Sequence, residues 1–131
     1  MKTKNPSNLK LKKKLTPAQY NICILGGTEP AFSGKYTYYK EKGTYVCIVC
    51  GKPLFSSEAK FDSNTGWPSF DQVANTKNIE LKPDYSLGMI RTEVLCKACG
   101  AHLGHLFSDG PTETHKRYCI NSAALDFEKP K

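Results

Sequence analysis

Gly43-Thr44-Tyr45-Val46-Cys47-Ile48-Val49-Cys50-Gly51-Lys52-Pro53-Leu54 runs from a strand-forming stretch straight into a cysteine knuckle. β-Branched and aromatic residues favour a pleated, half-buried strand. A CxxC pair turns both sulfurs toward one point, and the glycine after it lets the backbone fold tightly beneath them. The same knuckle recurs as Cys96-Lys97-Ala98-Cys99-Gly100-Ala101-His102-Leu103. Together Cys47, Cys50, Cys96 and Cys99 supply the four thiolates of a closed tetrahedral Zn²⁺ site, which leaves no position for water or substrate and is therefore structural. Disulfides are the alternative, but a secreted disulfide scaffold is usually shorter and carries an apolar signal segment, which Met1 to Lys14 lacks. The doubled CxxCG favours zinc. A long insertion separates the knuckles, so the metal would tie distant parts of one domain together.

A chain of 131 residues fits one domain with a real core, here expected over 15–131. The net charge of +7 suggests nucleic acid until its distribution is read. Lys2, Lys4, Lys10, Lys12, Lys13 and Lys14 precede the first acid, Glu29, and setting those six of the 19 basic residues aside leaves 13 against 12 acidic ones. Residues 1–14 are thus expected to be a basic, disordered tail on a nearly neutral domain, with no specific nucleic-acid partner. No run of 18 apolar residues offers a membrane span. A cytoplasmic monomer is the default expectation.

Thr16-Pro17-Ala18-Gln19 is a capping box with proline at the first helical position, predicting a short helix from there to Gly26-Gly27. Beyond it the pattern turns to strands: Lys35–Tyr39, Gly43–Val49, Gly88–Leu95, His102–Phe107 and Lys116–Ser122. A mainly β fold of antiparallel sheets with little helix is the expected class.

Cys119 lies in one of these strands, where side chains two apart share a face, so Arg117, Cys119 and Asn121 should point one way while Tyr118 and Ile120 face the core. A guanidinium beside a thiol favours the nucleophilic thiolate and can lower its pKa well below about 8.5. Taken alone, a single cysteine is more often packing than catalysis. His102 and His105 could complete a Cys/His metal site, yet four cysteines already suffice, and as free imidazoles they could hold or deliver protons near neutral pH. His115 reads as a surface residue. Trp67, in Gly66-Trp67-Pro68-Ser69-Phe70, either walls a pocket or packs in the core.

Taken with Gly27–Tyr36, Gly104–Pro111 and Arg117–Ser122, these motifs resemble the B-type peptide-methionine (R)-S-oxide reductases over roughly residues 15 to 127. The resemblance implies two antiparallel sheets, the zinc-binding form of that fold, and reduction of methionine-R-sulfoxide, peptide-bound or free. It matches Cys119 to the family's attacking cysteine, which would be left as a sulfenic acid. It also matches His102 and His105 to the active-site histidines, Arg117 and Asn121 to pocket residues, and Trp67 to the ring that receives the substrate's ε-methyl group. The implied reductant is thioredoxin or another thiol.

One departure stands out. Many members carry a resolving cysteine in the segment that here reads Asp62-Ser63-Asn64-Thr65-Gly66-Trp67, where this chain has Thr65. Cys23, on the predicted helix, is the remaining candidate for a Cys23–Cys119 disulfide; otherwise it is a buried helix residue and an external thiol reduces the sulfenic acid directly. Two readings without turnover compete with the enzyme: a redox sensor built on Cys119, and a zinc-bearing interaction module whose lysine tail binds an acidic partner.

Overall fold

The computed structural model describes residues 15–85, 88 and 90–130. The lysine tail, residues 1–14, lies outside the described residues, as does Met89 of the expected Gly88–Leu95 strand. Helix α1 spans Pro17–Cys23, and both halves of its capping box form: the Gln19 amide donates to Thr16 Oγ1 at 3.1 Å, and the Thr16 amide donates to Gln19 Oε1 at 2.8 Å. It stops at Cys23, short of the expected glycines.

Nine strands follow among the described residues: β1 (Thr44–Cys47), β2 (Pro53–Ser56), β3 (Lys60–Phe61), β4 (Ser69–Phe70), β5 (Ile79–Asp84), β6 (Arg91–Cys96), β7 (His102–Phe107), β8 (Arg117–Ile120) and β9 (Leu125–Glu128). They form a three-stranded sheet in the order β2-β1-β9 and a six-stranded sheet in the order β3-β4-β8-β7-β6-β5. All pairings are antiparallel, so the expected mainly β class of two antiparallel sheets holds.

The core lies between the sheets. Phe55 of β2 stacks on Phe70 of β4 with ring centroids 4.4 Å apart, and Tyr45 of β1 meets Phe70 edge-on at 5.2 Å. Tyr45, Phe55 and Phe70 are fully buried. The alternation expected in β8 is present, with Tyr118 and Ile120 in the core and Cys119 half-buried on the opposite face.

The Lys35–Tyr39 strand is not formed: the segment is a turn, with the Tyr39 amide donating to the Tyr36 carbonyl. Tyr36 is drawn inward against Tyr39 and Tyr45, and its amide donates to Ser122 Oγ, so both its aromatic surface and its backbone are satisfied without a neighbouring strand. Conversely, β5 was not expected. Its Glu80, Lys82 and Pro83 argue against a central strand, but β5 is the edge of its sheet, where charges and proline are tolerated.

Candidate active site and metal centre

Each knuckle hangs from the end of a strand. Cys47 closes β1 and Cys96 closes β6, and in both the glycine four residues on donates its amide back to the cysteine carbonyl, Gly51 to Cys47 at 2.8 Å and Gly100 to Cys96 at 2.7 Å. Gly51 and Gly100 hold φ of +80° and +78°, a left-handed turn that other residues rarely enter. The ligand atoms of Cys47, Cys50, Cys96 and Cys99 all lie within 4.8 Å of one another, with Cys47 to Cys99 at 3.7 Å and Cys50 to Cys96 at 3.5 Å. Thiolates bound tetrahedrally at about 2.3 Å from one ion stand about 3.8 Å apart, so the cluster is sized for a metal. Since β1 and β6 belong to different sheets, an ion here staples one sheet to the other.

Cys119 lines a cavity of about 230 Å³ together with Thr28, Thr65, Trp67, Arg91, Gly104, His105, Phe107, Arg117 and Asn121. A larger cavity of about 410 Å³ lies between α1 and the start of β9, but its lining carries no thiol and no imidazole. The shared face of Arg117, Cys119 and Asn121 is therefore as expected, although Asn121 stands just past the end of β8.

The expected depression of the Cys119 thiol is not found. Burial raises its pKa above the ordinary value, and the Thr65 hydroxyl and the Arg117 guanidinium oppose that rise without cancelling it. Arg117 is itself occupied, donating to both carboxylate oxygens of Asp109 at 2.9 and 3.2 Å and lying over the Phe107 ring at 4.4 Å.

His102 and His105 are three apart, which in a regular strand would place them on opposite faces. A bulge prevents this: Val94 pairs with Gly104 but Leu95 pairs with His102, so Leu103 is the extra residue, and it turns into the core. The two rings then meet edge-on at 5.5 Å. His105 reaches the cavity and contacts Asp84 Oδ2 through Nε2 at 2.7 Å; His102, behind it, contacts Glu93 Oε2 through Nδ1 at 2.6 Å. Burial lowers the His102 pKa, with Glu93 opposing the shift. Asp84 also accepts from Arg91 Nη2 at 3.3 Å. Asp84, Arg91 and Glu93 come from β5 and β6, and no local motif marks them; only strand register brings them to the histidines.

A second buried acid holds the end of β8. Glu29 is 7% exposed, and its carboxylate accepts the Ser122 and Ala123 amides at 2.9 and 3.0 Å. Its own amide donates to Asn121 Oδ1 at 3.0 Å, and its carbonyl accepts from Trp67 Nε1 at 2.9 Å. Asn121 Nδ2 in turn donates to the Leu103 carbonyl at 2.9 Å. Trp67 and Asn121 are thereby fixed to one backbone segment, and Trp67 is a cavity wall rather than core. Gly104 completes the arrangement, because a Cβ there would run into the Cys119 carbonyl oxygen.

Cys23 is not brought to this site. It is 3% exposed in the core, does not line the Cys119 cavity, and its thiol is pushed up to about 12 by burial and by Cys96 of the metal cluster. His115 is exposed, as expected.

A two-sheet β fold with four cysteines clustered to hold a metal, and a further thiol in a pocket that also offers imidazole and guanidinium groups, is the architecture of an oxidoreductase. Residues 15–129 match the SelR domain, and the chain belongs to that family, the B-type methionine-R-sulfoxide reductases. It is 56% identical over 121 residues to methionine-R-sulfoxide reductase B3, mitochondrial, of Mus musculus, covering 92% of this chain and 48% of the mouse protein, of which it spans about half. It is 56% identical to the peptide methionine sulfoxide reductase MsrB of Methanosarcina barkeri (89% of this chain, 82% of the relative). With that of Leptospira interrogans it shares 53% (95% of each).

Proposed function

We propose that this enzyme reduces methionine-R-sulfoxide to methionine by attack of the Cys119 thiolate on the sulfoxide sulfur. The observation that carries this reading is the convergence of Cys119, His105, Arg117, Asn121 and Trp67 on one small cavity. As the new bond forms, oxygen passes from the substrate sulfur to Cys119, leaving methionine and a sulfenic acid; two electrons move from the cysteine sulfur to the substrate. The oxygen gains a proton in transit, and His105, backed by Asp84, delivers it. Arg117 favours the thiolate, and the indole of Trp67, fixed by its bond to Glu29, receives the methyl group.

Zinc fills the Cys47–Cys50–Cys96–Cys99 centre and takes no part in the reaction. Cys23 serves the core, and an external thiol reduces the sulfenic acid: one thiol forms a mixed disulfide with loss of water, and a second releases Cys119. Thioredoxin or a small dithiol fits that role.

The test is reduction of a peptide carrying each sulfoxide epimer, with dithiothreitol as donor. Consumption of the R epimer alone is expected, and no turnover by folded, metal-loaded protein would overturn the assignment. After one equivalent of substrate without reductant, mass spectrometry should find sulfenic acid on Cys119; a Cys23–Cys119 disulfide would return Cys23 to the mechanism.

His105→Ala should lower turnover about 10²-fold or more at pH 8 and less at pH 6, where hydronium replaces the missing donor. A pH profile parallel to the wild type would remove His105 from proton delivery.

A further inference from the structure

Three hydroxyls lead away from Cys119, in the segment that has no cysteine. Thr65 Oγ1 lies 3.9 Å from Cys119 Sγ, Ser63 Oγ lies 2.7 Å from Thr65 Oγ1, and Ser69 Oγ lies 2.7 Å from Ser63 Oγ. Ser69 is fully buried on β4, as the cross-strand partner of Cys119, and its far neighbour is the Trp67 carbonyl at 3.2 Å. The Thr65 amide also points at Ser63 Oγ, at 3.4 Å.

Each hydroxyl has one proton to donate and can accept from two donors. Only two orders therefore give every link between these four residues one donor and also spend every hydroxyl proton within the chain or on the Trp67 carbonyl. In the first, the thiol donates to Thr65, Thr65 to Ser63, Ser63 to Ser69, and Ser69 to the Trp67 carbonyl. In the second, Ser69 donates to Ser63, Ser63 to Thr65, and Thr65 to the sulfur, the order that a thiolate requires because it has no proton to give. Any mixed order turns one hydroxyl proton out of the chain or leaves a contact with two donors or none. Reversal gives up the 3.2 Å bond to Trp67 and gains a charge-assisted one at the sulfur, and donors in series polarise one another.

We propose that Ser69, Ser63 and Thr65 form a reversible hydroxyl chain that changes direction as Cys119 ionises, with Ser63 and Ser69 acting as positioning residues for the thiolate. The proposal rests on Cys119 being the attacking thiol. Charged and titratable groups also face this site: Arg117 from β8, His105 from β7, Arg91 from β6, and Glu29 from the segment before β1. Ser63 carries no charge, so substituting it leaves all of them in place. The same chain would donate to the sulfenate formed after attack, at the position where related enzymes offer a second thiol.

The test is the rate of Cys119 alkylation by iodoacetamide against pH, in the metal-loaded full chain, with the modified site identified by mass spectrometry. Ser63→Ala should slow alkylation at pH 7 about three- to tenfold and move the midpoint to higher pH. Ser63→Thr, which keeps the hydroxyl, should restore the rate to within about twofold, and Ser69→Ala should shift the midpoint the same way by less. A wild-type midpoint in Ser63→Ala would overturn the proposal, as would equal shifts in Ser63→Ala and Ser63→Thr, which would mean packing alone. Ser63 is only half-buried, and metal content with a thermal melt checks each variant's fold. Turnover of the R epimer is read in parallel: its absence from folded wild type would sink the catalytic reading, while the alkylation midpoints still decide the chain.

Discussion

Cys119→Ser is expected to abolish reduction of the R epimer, by about 10³-fold or more, while metal content and melting temperature stay at wild-type values. The magnitude follows from the nucleophile. Thiols ionise near pH 8.5 and their thiolates are strongly nucleophilic, whereas a serine hydroxyl is scarcely ionised at any pH the protein tolerates and is a far weaker nucleophile. Stability should hold because Cys119 is half-buried on the solvent side of β8 and outside the hydrophobic core, and exchanging sulfur for oxygen there opens only a small gap. Turnover retained within tenfold would move the chemistry to another group. In the wild type, activity should rise with pH through ionisation of Cys119, a rise displaced upward by burial.

Metal removal should have the largest effect on stability. A structural zinc contributes on the order of 10–16 kcal/mol in small peptides at pH 7, while a whole domain is stable by only about 5–15 kcal/mol. Complete removal by a chelator under reducing conditions should therefore erase the cooperative melt. Geometry points the same way. Cys47 and Cys96 are fully buried at the ends of strands in different sheets, and four thiols left within 4.8 Å without an ion would either carry repelling charges or bury unbound sulfur. The check is calorimetry beside elemental analysis. A metal-free protein that still melts cooperatively within a few degrees of the holo form would mean that the core alone suffices.

Features fixed by neighbours in the chain were legible beforehand. The capping box needs only residues 16 to 19, the knuckles need only CxxCG, and the face shared by Arg117 and Cys119 follows from alternation in one strand. Pairing between distant segments was not legible. The bulge at Leu103 exists only because β7 is registered against β6, and it alone turns His102 and His105 to one side. Glu29 was hidden for the same reason, since the amides it accepts lie 93 and 94 residues away. Lys35–Tyr39 has strand-forming residues but a core that wanted Tyr36, while β5 has poor ones but an edge that tolerates them.

The cysteines show the division most plainly. Spacing alone assigned Cys47, Cys50, Cys96 and Cys99 to one metal centre, because a knuckle is a local turn that needs no other part of the protein to aim its sulfurs. Spacing also placed Cys119 beside a guanidinium. It could not say that burial would outweigh that charge, or that Cys23 would be enclosed beside the metal centre and away from Cys119. A thiol's ionisation and reach depend on solvent exclusion and on groups supplied by every surrounding strand, and those are set only when the two sheets close.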